Sequence, residues 1–120
     1  MTTPRPRPAI VPPPPPHVRG ARLLVFRDGV VHRALELGPR GLTIGRGLQN
    51  DLVLEDPDRT ISRFHAEVRQ ETDGWVLLDL NSQNGTWVES RRIDRVELKA
   101  GVPVAIGRYS LVFDDTPLGA

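Results

Sequence analysis

Turn-forming residues interrupt this chain so often that no uninterrupted stretch is left for a helix of ordinary length. Asp28-Gly29, Pro39-Arg40-Gly41, Thr72-Asp73-Gly74, Asn84-Gly85 and Ala100-Gly101 divide residues 20–116 into short apolar runs. None of the runs has a sustained 3.6-residue period. Phe64, Ala66 and Val68 alternate with His65, Glu67 and Arg69, and Val102, Val104 and Ile106 alternate again, which is the period of half-buried strands. Strands are therefore expected at 22–26, 30–37, 42–44, 52–54, 64–69, 75–80, 86–88, 92–98, 102–106 and 110–113. Asp28-Gly29 is the strongest hairpin signal, and the apolar 75–80 run suits a central strand. Pro103 removes a ladder donor, so its strand is expected at an edge or beside a bulge. Many short strands separated by turns predict an all-β fold, a sandwich of two twisted, mostly antiparallel sheets.

Residues 1–19 differ in kind. Most of the chain's 12 prolines fall there, and proline fixes φ while removing the N–H, so this segment is expected to be a disordered, extended arm. The expected organisation is an arm over 1–19, one domain over 20–116 and a short tail over 117–120. The arm reads as a tether or as a docking peptide for an aromatic groove. At about 3.1 Å per residue it is also long enough for a phosphorylated Thr2 or Thr3 to reach back to its own domain.

Composition removes several classes of function. The net charge is +1, with Lys99 the only lysine among 16 basic residues, so no strong field favours nucleic acid. There is no cysteine, and His17, His32 and His65 are scattered, so disulfides, metal sites and cofactors are not expected. No apolar run is long enough to insert in a membrane, and Arg5 and Arg7 are not followed by the apolar stretch of a secretory signal. A cytoplasmic monomer is expected.

Three polar loop segments are candidates for function: Gly45-Arg46, Ser62-Arg63-Phe64-His65, and Asn81-Ser82-Gln83-Asn84-Gly85-Thr86. Singly each is explained by structure, since Asn-Gly is first a turn signal and a strand-end arginine is usually a solvated charge. In this order and spacing they resemble the forkhead-associated domain. The resemblance runs from about Arg22 to Phe113 and includes Leu42-Thr43-Ile44-Gly45-Arg46, Asn50-Asp51 before Val53-Leu54, Ile61 to Ala66, Leu78 to Val88, and Leu98 to Gly107.

That resemblance implies a β-sandwich whose loops at one end bind phosphothreonine peptides, as an adaptor in Ser/Thr kinase signalling. It assigns phosphate contact to Arg46 and Ser62, with Arg63 assisting through its backbone N–H or its side chain. It gives Asn84 the peptide backbone beside the phosphothreonine, and it makes the loop at Gln83 a cover over the phosphothreonine. Gly45, His65 and Gly85 would shape the loops, and Thr60 and Asn81 would bear on peptide preference. The implied partners are a Thr-phosphorylated protein and, with it, a Ser/Thr kinase.

The residue chemistry suits these roles. A phosphothreonine carries about −1.5 to −2 charge and three acceptor oxygens, which arginine meets with paired N–H donors. The sequence departs from the family pattern at Gln83, where threonine or serine is common, and at Asn81, where glycine is common. Glu89-Ser90 replaces a frequent Asn-Gly turn, and Val102 a frequent acidic residue. A second reading is phosphate-independent association through the same fold. Ser62 and His65 also include a nucleophile and a base, but no nucleophile-elbow motif surrounds Ser62 and no third group is evident to orient His65, so no enzymatic activity is expected.

Overall fold

The computed structural model describes residues 19–72 and 74–117, and these form eleven strands with no helix among them. In chain order they are β1 (Arg19–Arg27), β2 (Val30–Glu36), β3 (Leu42–Gly45), β4 (Leu52–Val53), β5 (Ala66–Glu71), β6 (Gly74–Asp79), β7 (Thr86–Val88), β8 (Arg91–Ile93), β9 (Arg95–Glu97), β10 (Pro103–Ile106) and β11 (Tyr109–Pro117). One sheet has the order β2-β1-β11-β10-β7-β8 and the other β4-β3-β5-β6-β9. Every pairing of strands is antiparallel except β3 with β4. Of the arm expected over residues 1–19, Arg19 opens β1 and residues 1–18 lie outside the described residues; of the tail expected over 117–120, Pro117 ends β11 and 118–120 lie outside them.

The core is made by alternate residues of both sheets. Leu23, Val25, Val104, Ile106 and Leu111 come from one, and Leu42, Ile44, Ala66, Val68 and Leu77 from the other. Asp28 (φ 52°) and Gly29 (φ 82°) make the positive-φ pair that a two-residue hairpin needs. Glu89 (φ 51°) and Ser90 (φ 68°) make the same kind of turn between β7 and β8, without glycine.

Three expectations need correction. The 92–98 stretch is not one strand: β8 pairs with β7 in one sheet, β9 pairs with β6 in the other, and the chain changes sheets at Asp94. β10 is an internal strand, with β11 and β7 on either side. Pro103 is tolerated because it is the first residue of β10, while β7 pairs with β10 only at Ala105. The alternation read over 64–69 fails at its start. β5 begins at Ala66, so Phe64 belongs to a loop and is 47% exposed, while His65 is fully buried.

Candidate functional site

The loops that follow β3, β4 and β6 are tied together at one end of the sandwich. The β10–β11 turn closes on the same end, where Gly107 lies against Ile61.

A buried or half-buried side chain organises each of the three loops. After β3, Asn50 donates from Nδ2 to the carbonyls of Gly47 (2.8 Å) and Arg63 (2.7 Å). This draws the Arg63 carbonyl so close to Gly45 that a Cβ there would stand 2.2 Å from it, so only glycine fits. After β4, the Asp56 carboxylate accepts from the Ile61 N–H (2.6 Å) and the Thr60 hydroxyl (3.1 Å), and the Tyr109 hydroxyl donates to the Glu55 carbonyl (2.8 Å). After β6, Asp79 accepts from the Ser82 N–H (2.7 Å), the Ser82 hydroxyl (2.6 Å) and the Thr86 hydroxyl (2.7 Å). Ser82 Oγ in turn accepts from the Gly85 N–H (3.1 Å), and Arg92 donates to the Ser82 carbonyl (2.9 Å). Burial works to raise the Asp79 pKa, but the hydrogen bonds from Ser82 and Thr86 outweigh it, and the carboxyl titrates below its ordinary value. Asp56 behaves in the same way, through Ile61 and Thr60.

His65 links the second loop to the third. Its Nδ1 accepts from the Ser62 N–H (3.1 Å), so Nε2 carries the proton and donates to the Gly85 carbonyl (3.0 Å). Both ring nitrogens are thereby committed to a neutral ring. Burial lowers the pKa, with help from the charge of Arg92; the Gly85 carbonyl and Asp79 oppose it without prevailing.

These ties bring the loop residues singled out in the sequence to one place. Arg46 donates from its backbone to the Ser62 carbonyl (3.0 Å) and from Nε to the Ile61 carbonyl (3.0 Å). The Ser62 hydroxyl oxygen accepts from the Gln83 N–H (3.0 Å), and Asn84 donates from Nδ2 to the Thr60 carbonyl (2.8 Å). Arg46 and Ser62 are half-buried, while Thr60, Arg63, Asn81, Gln83 and Asn84 are exposed; Gly45, His65 and Gly85 are buried beneath them. Asn81 has φ 60°, which accounts for asparagine in a position where the family often has glycine. Trp87 donates from its indole to the Asn84 carbonyl (3.1 Å), a contact that holds the loop.

The remaining hydrogen-bonding capacity indicates what the site can take. Arg46 keeps both terminal NH2 groups, because among the described residues only Nε of its side chain is used. Ser62 keeps its hydroxyl proton, because its oxygen acts as the acceptor toward Gln83. Among the described residues no carboxylate comes within ion-pair distance of Arg46, Arg59 or Arg63. The arrangement is a set of donors with uncompensated positive charge, suited to an anion with several acceptor oxygens.

Asp56, Asp79, Asn50 and Arg92 support the site, yet sequence reasoning gave them no role. The available signal was the Asp-x-x-Ser spacing of Asp79 and Ser82, which allows an aspartate side chain to cap its own turn.

Comparison with known proteins agrees with this geometry. Residues 42–107 match the FHA domain family. Glycogen accumulation regulator GarA of Mycobacterium tuberculosis is 37% identical over 95 residues, covering 78% of this chain and 57% of GarA, so the chain spans little more than half of that relative. An FHA domain solved in a study of phosphothreonine-dependent interactions is similar with a TM-score of 0.71 and 31% identity, over 82% of this chain and 99% of that one. Mycobacterium tuberculosis EmbR, solved in complex with a low-affinity phosphopeptide, is similar with a TM-score of 0.70 and 30% identity, over 83% of this chain and 25% of EmbR.

Proposed function

The chain belongs to the forkhead-associated domain family, and from that premise we propose that it binds threonine-phosphorylated proteins as an adaptor in Ser/Thr kinase signalling. The observation that carries this reading is the convergence of Arg46 and Asn84 on the 60–62 segment that holds Ser62, with no carboxylate among the described residues to neutralise the arginine. The terminal nitrogens of Arg46 and the Ser62 hydroxyl would grip the phosphate. Arg63 adds positive charge at the rim, and Gln83 lies over the threonine. Asn84 has one amide hydrogen on the Thr60 carbonyl and keeps an acceptor oxygen for the peptide backbone. Thr60 and Asn81 flank this path and are positioned to influence the residues accepted beside the phosphothreonine.

The reading takes the chain to be cytoplasmic and non-catalytic. Ser62 and His65 do not form a nucleophile–base pair, because the histidine nitrogen accepts from the Ser62 backbone N–H rather than from its hydroxyl. Titration with a phosphothreonine peptide and with its unphosphorylated twin tests the proposal. Saturable binding of the first alone is expected, and equal binding of both would defeat it.

A further inference from the structure

The outward side of the six-stranded sheet is apolar where a solvated face would be polar. Facing the core, β1, β10 and β11 supply Leu23, Val25, Val104, Ile106 and Leu111. Their alternate residues point the other way and line up across the strands. One cross-strand row runs Val31, Phe26, Ser110, Ala105, Trp87. The next runs Ala34, Leu24, Val112, Pro103. Leu24, Phe26, Ala105 and Val112 are half-buried and pack outside the core, while Val31 is 63% and Trp87 38% exposed. Beyond these rows the face ends in the Arg22–Asp114 ion pair. Two adjacent apolar rows of this extent, with a polar end, have the character of a covered surface.

We propose that residues 10–16 of this chain, Ile-Val-Pro-Pro-Pro-Pro-Pro, lie across that face. The segment joins the domain at Arg19, the start of the strand that carries Leu24 and Phe26. From Arg19 to Phe26 the strand advances about 23 Å at 3.3 Å per residue. Seven residues in the polyproline conformation would span about 22 Å at 3.1 Å per residue, so the length of the 10–16 stretch suits the path. Their chemistry matches as well. They carry no charge, and proline lacks the N–H needed to add a strand to the β2 edge, so a face of rings and small side chains is the surface left to them. Polyproline segments dock on aromatic surfaces of this kind, and attachment to β1 makes the contact intramolecular.

The chain has no cysteine, so Ala9→Cys gives one site for a nitroxide spin label on the full-length protein. The expected result is that the amide signals of Leu24, Phe26, Ala105 and Val112 lose most of their intensity relative to the reduced label. Phe26→Glu, at a half-buried position outside the core, should restore them while the spectrum stays dispersed; Val112→Glu on the neighbouring strand should do the same. Broadening confined to residues beside Arg19, or concentrated at Arg46, Ser62 and Asn84, would overturn the proposal. So would broadening in a mixture of spin-labelled unenriched protein with unlabelled nitrogen-15 protein, because the occupant would then be a second copy.

Discussion

Three strand arginines, Arg22, Arg69 and Arg95, and three arginines of the binding loops, Arg46, Arg59 and Arg63, meet opposite fates. Arg22 is paired with Asp114, Arg69 with Glu67 (3.2 Å) and Arg95 with Glu71 (2.8 Å), whereas Arg108, in the β10–β11 turn, is held by Asp28 (2.6 Å). At the loop end Arg46, Arg59 and Arg63 meet no carboxylate among the described residues, even though Asp56 lies in these loops and Asp79 at the end of β6 beside them. Those two aspartates are committed to backbone N–H and hydroxyl donors instead. The comparison separates two uses of charge. At Arg22, Arg69 and Arg95 positive charge is cancelled in place, whereas around Arg46, Arg59 and Arg63 negative charge is spent on shaping the loops, so positive charge remains for a ligand. The net charge of +1 conceals this separation.

The sharpest way to break the comparison is Arg46→Ala. If the free guanidinium nitrogens grip a phosphate, their loss should weaken phosphothreonine-peptide binding by roughly 2–5 kcal/mol, the range for truncating one partner of a desolvated charge pair. Calorimetric titration measures it, and an affinity equal to that of the unaltered protein would remove Arg46 from the site. The fold should be untouched, so the circular dichroism spectrum and thermal midpoint serve as controls.

The carboxylates that shape the loops come next. Asp79→Ala removes the acceptor for three donors at once. Hydrogen bonds to charged groups contribute about 1.5–3 kcal/mol each, but solvent at this half-buried position substitutes for part of that, so a stability loss of about 2–3 kcal/mol is expected in denaturant unfolding. Peptide affinity should fall with it, because Gln83 and Asn84 lose their support. A variant that unfolds normally but no longer binds would instead mean that Asp79 acts on the ligand directly. Both Asp79 and Asp56 titrate below their ordinary values, so the stability they add is complete above the unfolded-state value near 4 and declines as the pH falls through the folded-state value.

His65 gives a milder, pH-dependent effect. Its folded pKa lies below 6.5, so in the interval between the two values the unfolded chain holds a proton that the folded chain refuses. Stability from this group is therefore complete above about pH 6.5 and declines as the pH falls below it. Protonating Nδ1 would set a second donor against the Ser62 N–H. The measurement belongs to the unliganded protein, because a phosphothreonine itself titrates near pH 6 and would confound binding. Unfolding midpoints at pH 7 and pH 5.5 should differ for the natural chain and differ less for His65→Gln. An equal slope in both would clear His65 of the effect.

The contrast between the regions also explains what could be read in advance. The strands were legible because burial on one face imposes a period of two, and the hairpin at Asp28-Gly29 because its positive-φ pair needs those residue types. The change of sheet at Asp94 was hidden, since β8 and β9 each present only three residues and one polar residue between them leaves no break in pattern. The inward turn of His65 was hidden for a related reason: alternation presumes a strand, and the chain at 64–65 is still a loop. For the site, no single loop was informative; the family's spacing of Arg46, Ser62 and Asn84 singled them out. The supporting role of Asp56 was not legible, because a lone loop aspartate usually meets water and only the folded backbone brings donors to it; that of Asp79, at the end of β6, left no trace but its spacing to Ser82.

The smallest expected effect is also the control for the comparison as a whole. Arg95 donates through two terminal nitrogens to the two oxygens of Glu71 (3.1 and 2.8 Å) across the outer side of the five-stranded sheet. Its pKa is raised, first through those hydrogen bonds, and that of Glu71 is lowered by the same contacts. Both side chains are widely exposed, at 48% and 43%, so solvent screens most of what the geometry offers. Arg95→Ala should leave phosphopeptide affinity unchanged and move the thermal midpoint very little. Like Arg46→Ala it removes one positive charge, but Arg95's charge is already cancelled locally, so net charge alone predicts similar losses for the two variants. If Arg95→Ala weakened binding as much as Arg46→Ala, the general field of the protein would be attracting the phosphate, and the loop arginines would have no privileged place in its recognition.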